Sequence, residues 1–275
     1  MIYDAGLLGT FLPFTLYYLK NNNLMELAAI GEVVKFPLQR YGIKALRSNM
    51  DGSAMVCADL MTHDPPVQCD AYQYNFATGS FSFLTSRPGY AGMEVFSNIV
   101  KLYGEAKVTL IGGVNRIVEL VPSNSPILSR DAFLYYYYSG AIWINNGDNT
   151  WSSLITDSQP VRVQKVGTDY YYGVGAVLKD QNGAVITFDD NIVDFYISTT
   201  ESVVLTTDGV FWLDGSFNIV AQAALVGVGT GSMLTMAGGF LAINLSSKIV
   251  IFLGHNLFHE VAAATSFVAI MSNNN

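Results

Sequence analysis

The chain has 275 residues, of which 51% are hydrophobic and only 13% charged, about half the charged share of an ordinary soluble domain. That composition excludes intrinsic disorder, which needs low hydrophobicity and high net charge. The balance of 14 Lys+Arg against 22 Asp+Glu, a formal charge of −8, removes the basic footprint that a nucleic-acid binder needs.

Residues 1–41 come first and read as an apolar N-terminal arm or closing segment, too short for a core of its own. Its longest apolar run, Ala5 to Leu19, is 15 residues broken by Pro13 and Thr15 and preceded by Asp4. A spanning helix needs about 20 apolar residues and a secretory signal needs a basic start, so the run fits neither. So apolar a segment has to be covered, either by its own fold or by a neighbouring subunit. The second case makes Leu7, Leu8, Phe11, Phe14, Tyr17 and Tyr18 candidate interface residues. Helical periodicity is confined to Asn23–Val34.

Downstream, runs rich in Val, Ile, Thr, Tyr and Phe come in pairs around glycine-bearing turns, the pattern of β-hairpins. In order, Leu46–Met50 and Ser53–Cys57 flank Asp51-Gly52, Tyr72–Phe76 and Ser80–Leu84 flank Gly79, and Lys107–Ile111 and Val114–Leu120 flank Gly112-Gly113. Leu134–Tyr138 and Ala141–Ile144 then flank Ser139-Gly140, and Gly173–Leu178 and Ala184–Phe188 flank Asp180 to Gly183. Ser202–Leu205 and Val210–Leu213 flank Asp208-Gly209, and Ser232–Met236 and Phe240–Ile243 flank Gly238-Gly239. The turn glycines recur at a mean spacing of about 31 residues, with shorter strands such as Arg162–Val166, Ile192–Ile197, Ile219–Leu225 and Ile249–Leu253 between the hairpins.

A recurring unit of three or four short strands points to an all-β repeat fold. The last unit, Val261–Ile270, begins with a strand and stops, which suits a ring completed by an N-terminal strand such as Glu32–Phe36. Residues 42–275 are therefore read as a β-propeller of about six to eight short blades closed by N- and C-terminal strands, with a β-sandwich as the alternative. The stretch from Glu201 to Gly215, an apolar strand, an Asp-Gly turn and an aromatic-bearing strand, resembles the blade hairpin of regulator-of-chromosome-condensation-type repeats. The resemblance implies the propeller fold and does not carry that family's partners.

Sites are sparse. Cys57 and Cys69 read as two reduced structural thiols, which implies an intracellular chain. His255 and His259 are four apart but lack the Glu of a metalloprotease helix, and His63 stands alone, so no metal is expected. The oxygen-rich turns 145–149 and 189–191 match no Ca²⁺ loop and read as turn chemistry. No nucleophile elbow or phosphate loop occurs, so no catalytic residue, no cofactor and no enzyme activity is expected. The aromatic runs Phe133–Tyr138 and Tyr170–Tyr172 read as packing between blades. Trp143, Trp151 and Trp212 form a candidate aromatic binding surface for a protein or a sugar.

Low charge, an apolar arm and a closed β-repeat together point to a non-enzymatic structural subunit of a large assembly, because obligate interfaces are apolar and depleted in charge. The expected partners are protein subunits of that assembly, including copies of this chain as a homo-oligomer. In style the chain is similar to propeller-bearing phage tail nozzle and adaptor proteins, which implies a virion location. The alternative is a cytoplasmic location, or a receptor- or carbohydrate-binding propeller.

Overall fold

Runs of four to nine residues rich in apolar, β-branched and aromatic side chains, separated by turns, favour short antiparallel strands. The structure, a computed structural model, describes 27 strands and most turns by their backbone, and side chains for Met25 and, a few positions apart, for 121 to 262. Residues 1–13, 38–42, 49–54, 62–67, 129–132, 263–267 and 273–275 and some shorter turns lie outside this description. The chain divides into two units, 1–118 with 235–275, and 119–234.

The first unit opens with β1 (Phe14–Lys20), β2 (Asn23–Ala28) and β3 (Gly31–Pro37), which form one sheet with the last strand of the chain, Val268–Ser272. Next come β4 (Ile43–Ser48), β5 (Met55–Met61), β6 (Gln68–Asn75) and β7 (Ser80–Pro88) in a second sheet. A third holds β8 (Tyr90–Phe96), β9 (Ile99–Gly104), β10 (Lys107–Gly112) and β11 (Asn115–Leu120).

The second unit contributes β12 (Tyr135–Tyr138), β13 (Ala141–Gly147) and β14 (Thr150–Thr156), then β15 (Val163–Val166), β16 (Asp169–Val174), β17 (Val177–Asp180) and β18 (Gly183–Thr187). It continues with β19 (Ile192–Tyr196), β20 (Glu201–Thr206), β21 (Gly209–Asp214) and β22 (Ile219–Ala224). The final sheet is β23 (Met233–Ala237), β24 (Phe240–Asn244), β25 (Lys248–Leu253) and β26 (Asn256–Ala262), and β27 (Val268–Ser272) completes the first. Among the described residues there are seven sheets, all but one of four strands. The three-stranded sheet gains a short extra edge, since Leu128 N–H donates to Tyr135 O and Tyr137 N–H donates to Pro126 O.

Two expectations are corrected. Asn23–Val34 is a hairpin, with Ala28 paired to Gly31, because Gly31 and the β-branched Val33-Val34 break the short helical pattern. The strand that joins the C-terminus is β1, from Phe14↔Ser272 to Tyr18↔Val268. Glu32–Phe36 lies in β3 at the far end of the same sheet, and its Glu32, Lys35 and terminal Pro37 suit an edge.

Within the second unit the sheets stack through apolar faces. Tyr135, Ile142, Val163 and Tyr172 form one core between the β12–β14 and β15–β18 sheets. Leu178, Phe188, Ile192, Phe195, Val204 and Leu213 form the next, between β15–β18 and β19–β22. Burial falls off across each sheet: β20 is buried at five of six positions, whereas β14, β18 and β22, the last strands, have no buried residue.

Candidate interaction surface

In a strand alternate residues face opposite ways, so the tyrosine run of β12 splits between two faces. Tyr135 and Tyr137 turn into the core shared with β15–β18. Tyr136 is on the other face, opposite Trp143 of β13, and Asn145 is opposite Trp151 of β14. Tyr136 and Trp143 rings lie nearly parallel with centroids 6.3 Å apart, and Trp151 meets Tyr136 edge-on at 4.5 Å. Such geometry contributes about 0.5–1.5 kcal/mol per pair beyond area burial. Trp143 Nε1 donates to Tyr138 O at 3.1 Å, while the buried Trp151 Nε1 has no hydrogen-bond partner. Burial, followed by the neighbouring Tyr138, raises the Tyr136 pKa above its usual value.

Two of the three expected tryptophans therefore come together, each half-buried, with Tyr138 exposed beside them. Trp212 does not join them. It is 1% exposed in the middle of β21, because β21 is the third strand of its sheet and both its faces are covered. Of the expected interface residues, Phe14, Tyr17 and Tyr18 have their backbone in β1, which is paired to β2 and β27 on its two edges. Their side chains, with Leu7, Leu8 and Phe11, lie outside the described residues.

The polar groups of the second unit are committed to holding strands and turns. Asp157 accepts from Lys179 Nζ at 2.8 Å and from Tyr172 Oη at 3.1 Å, and its backbone oxygen accepts from Tyr137 Oη. The Lys179 hydrogen bond holds the Asp157 carboxyl below its usual range against the opposing effect of burial. Burial and then the bond to Asp157 push Tyr172 up to about 12. Gln164 makes a two-pronged tie, its Nε2 donating to Ile197 O and its Oε1 accepting from Ile197 N–H. Asp194, 1% exposed, accepts from the amides of Phe195 and Leu234 and lies 3.6 Å from Arg162 Nε. Sequence reasoning misses these ties because a lone Asp or Gln gives no signal of its partner 33 or 40 residues away.

The oxygen-rich turns show turn chemistry. Asn145 Oδ1 accepts from Gly147 N–H, Asn146 donates to Ser152 and Asp190 accepts from Thr207 Oγ1. Among the described residues no group of three His, Cys, Asp or Glu side chains converges. His255 lies in an exposed turn and His259 in β26 opposite Ile251. His63 lies outside the described residues. In the β5–β6 ladder the backbone of Cys57 is paired with Tyr72 and that of Cys69 with Leu60. They are three ladder positions apart, about 10 Å, too far for a disulfide.

The tie at Asp157 has a pH signature. Tyr172 ionises near 12 in the folded chain against about 10 when unfolded, so its stabilising contribution is complete below pH ~10 and is lost as pH rises toward 12. The Tyr172→Phe variant is expected to lose stability less steeply than the parent across that window. Urea midpoints measured at steps between pH 9 and pH 12 check it, and parallel curves would refute it.

No family model matches the chain and no curated protein is similar to it in sequence. Solved structures do match. The chain is similar to apo AztD from Citrobacter koseri at 8% identity and a TM-score of 0.61, over 94% of this chain and 98% of that one. It is similar to PorZ, a surface component of the type-IX secretion system of Porphyromonas gingivalis, at 10% identity and a TM-score of 0.63, over 93% of this chain and 37% of that one. Kluyveromyces lactis Hsv2 matches at 12% identity and a TM-score of 0.54, over 78% and 75%. At these identities the likeness carries the fold alone, and the fold is that of a β-propeller.

Proposed function

We propose that the chain is a non-enzymatic structural subunit of a larger protein assembly, in its most specific form a virion component such as a phage tail or head appendage, with copies of itself among its partners. The supporting observation is the combination of very low charge with apolar side chains left in solvent. Val226 is 89% exposed, and Ile219, Val220, Tyr138, Leu253 and Leu257 are each close to half exposed. Apolar side chains left this exposed suit burial against a neighbouring subunit. The polar groups described above are used to cap turns and join sheets, which suits a rigid building block. PorZ is a component of a secretion system, so a similar fold serves in an assembly there.

Light scattering on the purified chain tests the reading. Self-association with a defined mass is the expected result, and a monomer that persists at high concentration would overturn it.

A further inference from the structure

The seven sheets treat their last strands in two different ways. Those of the first unit and of β23–β26 carry charge or proline: Glu32, Lys35 and Pro37 in β3, Arg87 and Pro88 in β7, Arg116 and Glu119 in β11, His259 and Glu260 in β26. These are the usual means by which an exposed edge is kept from pairing with another chain. The last strands of the second unit, β14 (TWSSLIT), β18 (GAVIT) and β22 (IVAQAA), hold no charged residue and no proline. The three sheets are consecutive and stacked through shared cores, so these exposed strands line one side of the unit.

Around them the unit is strongly acidic. Residues 119–234 hold four Lys or Arg against twelve Asp or Glu, a net −8, while the remainder of the chain holds ten of each. The acids flank the strands, as Asp148, Asp157, Asp180, Asp189 and Asp214 do. From 215 to 247 there is no charged residue at all. Within that run is β22, which among the described residues is the free end of its sheet, with Ile219, Val220 and Val226 exposed on it and just beyond it. Leu225 N–H donates to Asp208 O, so by antiparallel alternation the backbone groups of Gln222 and Ala224 point to the open edge.

The strands themselves carry no carboxylate to pair with a basic partner, the flanking acids lying outside their ranges, and an anionic membrane would be repelled by the unit as a whole. Two copies of this unit carry like net charge and repel each other least along strands that hold no charge of their own, and an antiparallel strand edge is complementary to itself across a two-fold axis. We infer that the free edge of β22, on this uncharged side, is the surface on which a second copy of this chain docks by strand pairing. The inference rests on the assembly reading above and names the surface that serves it.

The test compares the full chain with Val220→Glu, which adds like charge at an exposed position of an acidic unit, and Gln222→Pro, which removes an outward N–H without taking a bond from the β21–β22 ladder. Ser247→Glu, the same charge change at an exposed position outside β22, is the control. Sedimentation velocity over a concentration series is expected to show association about tenfold or more weaker in both edge variants, with the control and the circular dichroism of all four proteins unchanged. If the parent associates and the edge variants associate as tightly, the surface is wrong and the assembly reading stands. If the parent is a monomer throughout, both fall.

Discussion

Replacing Asp194 by Ala is expected to destabilise the chain by about 3–5 kcal/mol, the cost of leaving two buried amides without their acceptor and removing the carboxylate of a partly buried ion pair. The carboxylate is 1% exposed and serves the amides of Phe195 and Leu234 at 3.0 and 2.9 Å and the Arg162 guanidinium at 3.6 Å. Without it a cation that is only 20% exposed loses this carboxylate, and two buried N–H groups lose their acceptor. Asp194→Asn keeps an oxygen for one amide and is expected to fall between parent and Ala. Urea denaturation of the single variants, Arg162→Ala and the double variant gives the coupling directly. An Asp194→Ala cost within about 0.5 kcal/mol, the range of ordinary surface substitutions, would mean that the ties to Arg162, Phe195 and Leu234 contribute little.

Much of the fold is legible because turns have local chemistry. Ser139-Gly140 places both residues at positive φ, 50° and 80°, and joins Tyr138 to Ala141, as the hairpin pattern predicts. Gly183 closes the Asp180 turn at φ 141°, its amide donating to Asp180 Oδ1. Gly209 sits where the pattern puts it for a different reason: a Cβ there would lie 2.6 Å from Ala223 O, so close approach of β22 and not a left-handed backbone requires it. The pattern places Gly175 inside a strand from Gly173 to Leu178, yet its φ of +57° turns the chain between β16 and β17. A single glycine amid Val and Ala has no Asp or Asn beside it to announce a turn. The number of units falls within the expected range by compensation. The hairpins at Gly52 and Gly79 both belong to the β4–β7 sheet, while the segment that reads as an arm supplies three strands of the sheet that β27 completes.

The site is less legible, because a strand's face is set by its register with partners that local sequence does not specify. Trp143 and Trp151 are eight residues apart and meet the same tyrosine only because a register shift in the β13–β14 hairpin sets Trp151 opposite Asn145. The uncharged last strands are present in the composition as part of the low 13% charge. Only the order of strands within each sheet shows that the missing charges are missing from the edges of one unit.

Trp212 separates the two roles an aromatic can have in this chain. It is the largest fully buried side chain described, opposite Val203 on one side and Ala221 on the other. Trp212→Ala is expected to cost about 3–5 kcal/mol, the loss of transfer energy plus a cavity that close-packed strands cannot collapse around. That corresponds to a fall in melting temperature of roughly 10 °C for a chain of this size. Trp143→Ala, at a half-buried position with its indole N–H bonded to Tyr138 O, is expected to cost less than half as much. The emission should follow the same order: in a Trp143→Phe, Trp151→Phe background the remaining Trp212 emits at short wavelength and resists acrylamide. Calorimetry and quenching on the same proteins check both statements, and a Trp212 that is quenched freely, or whose loss costs no more than that of Trp143, would show that β21 is not covered on both faces.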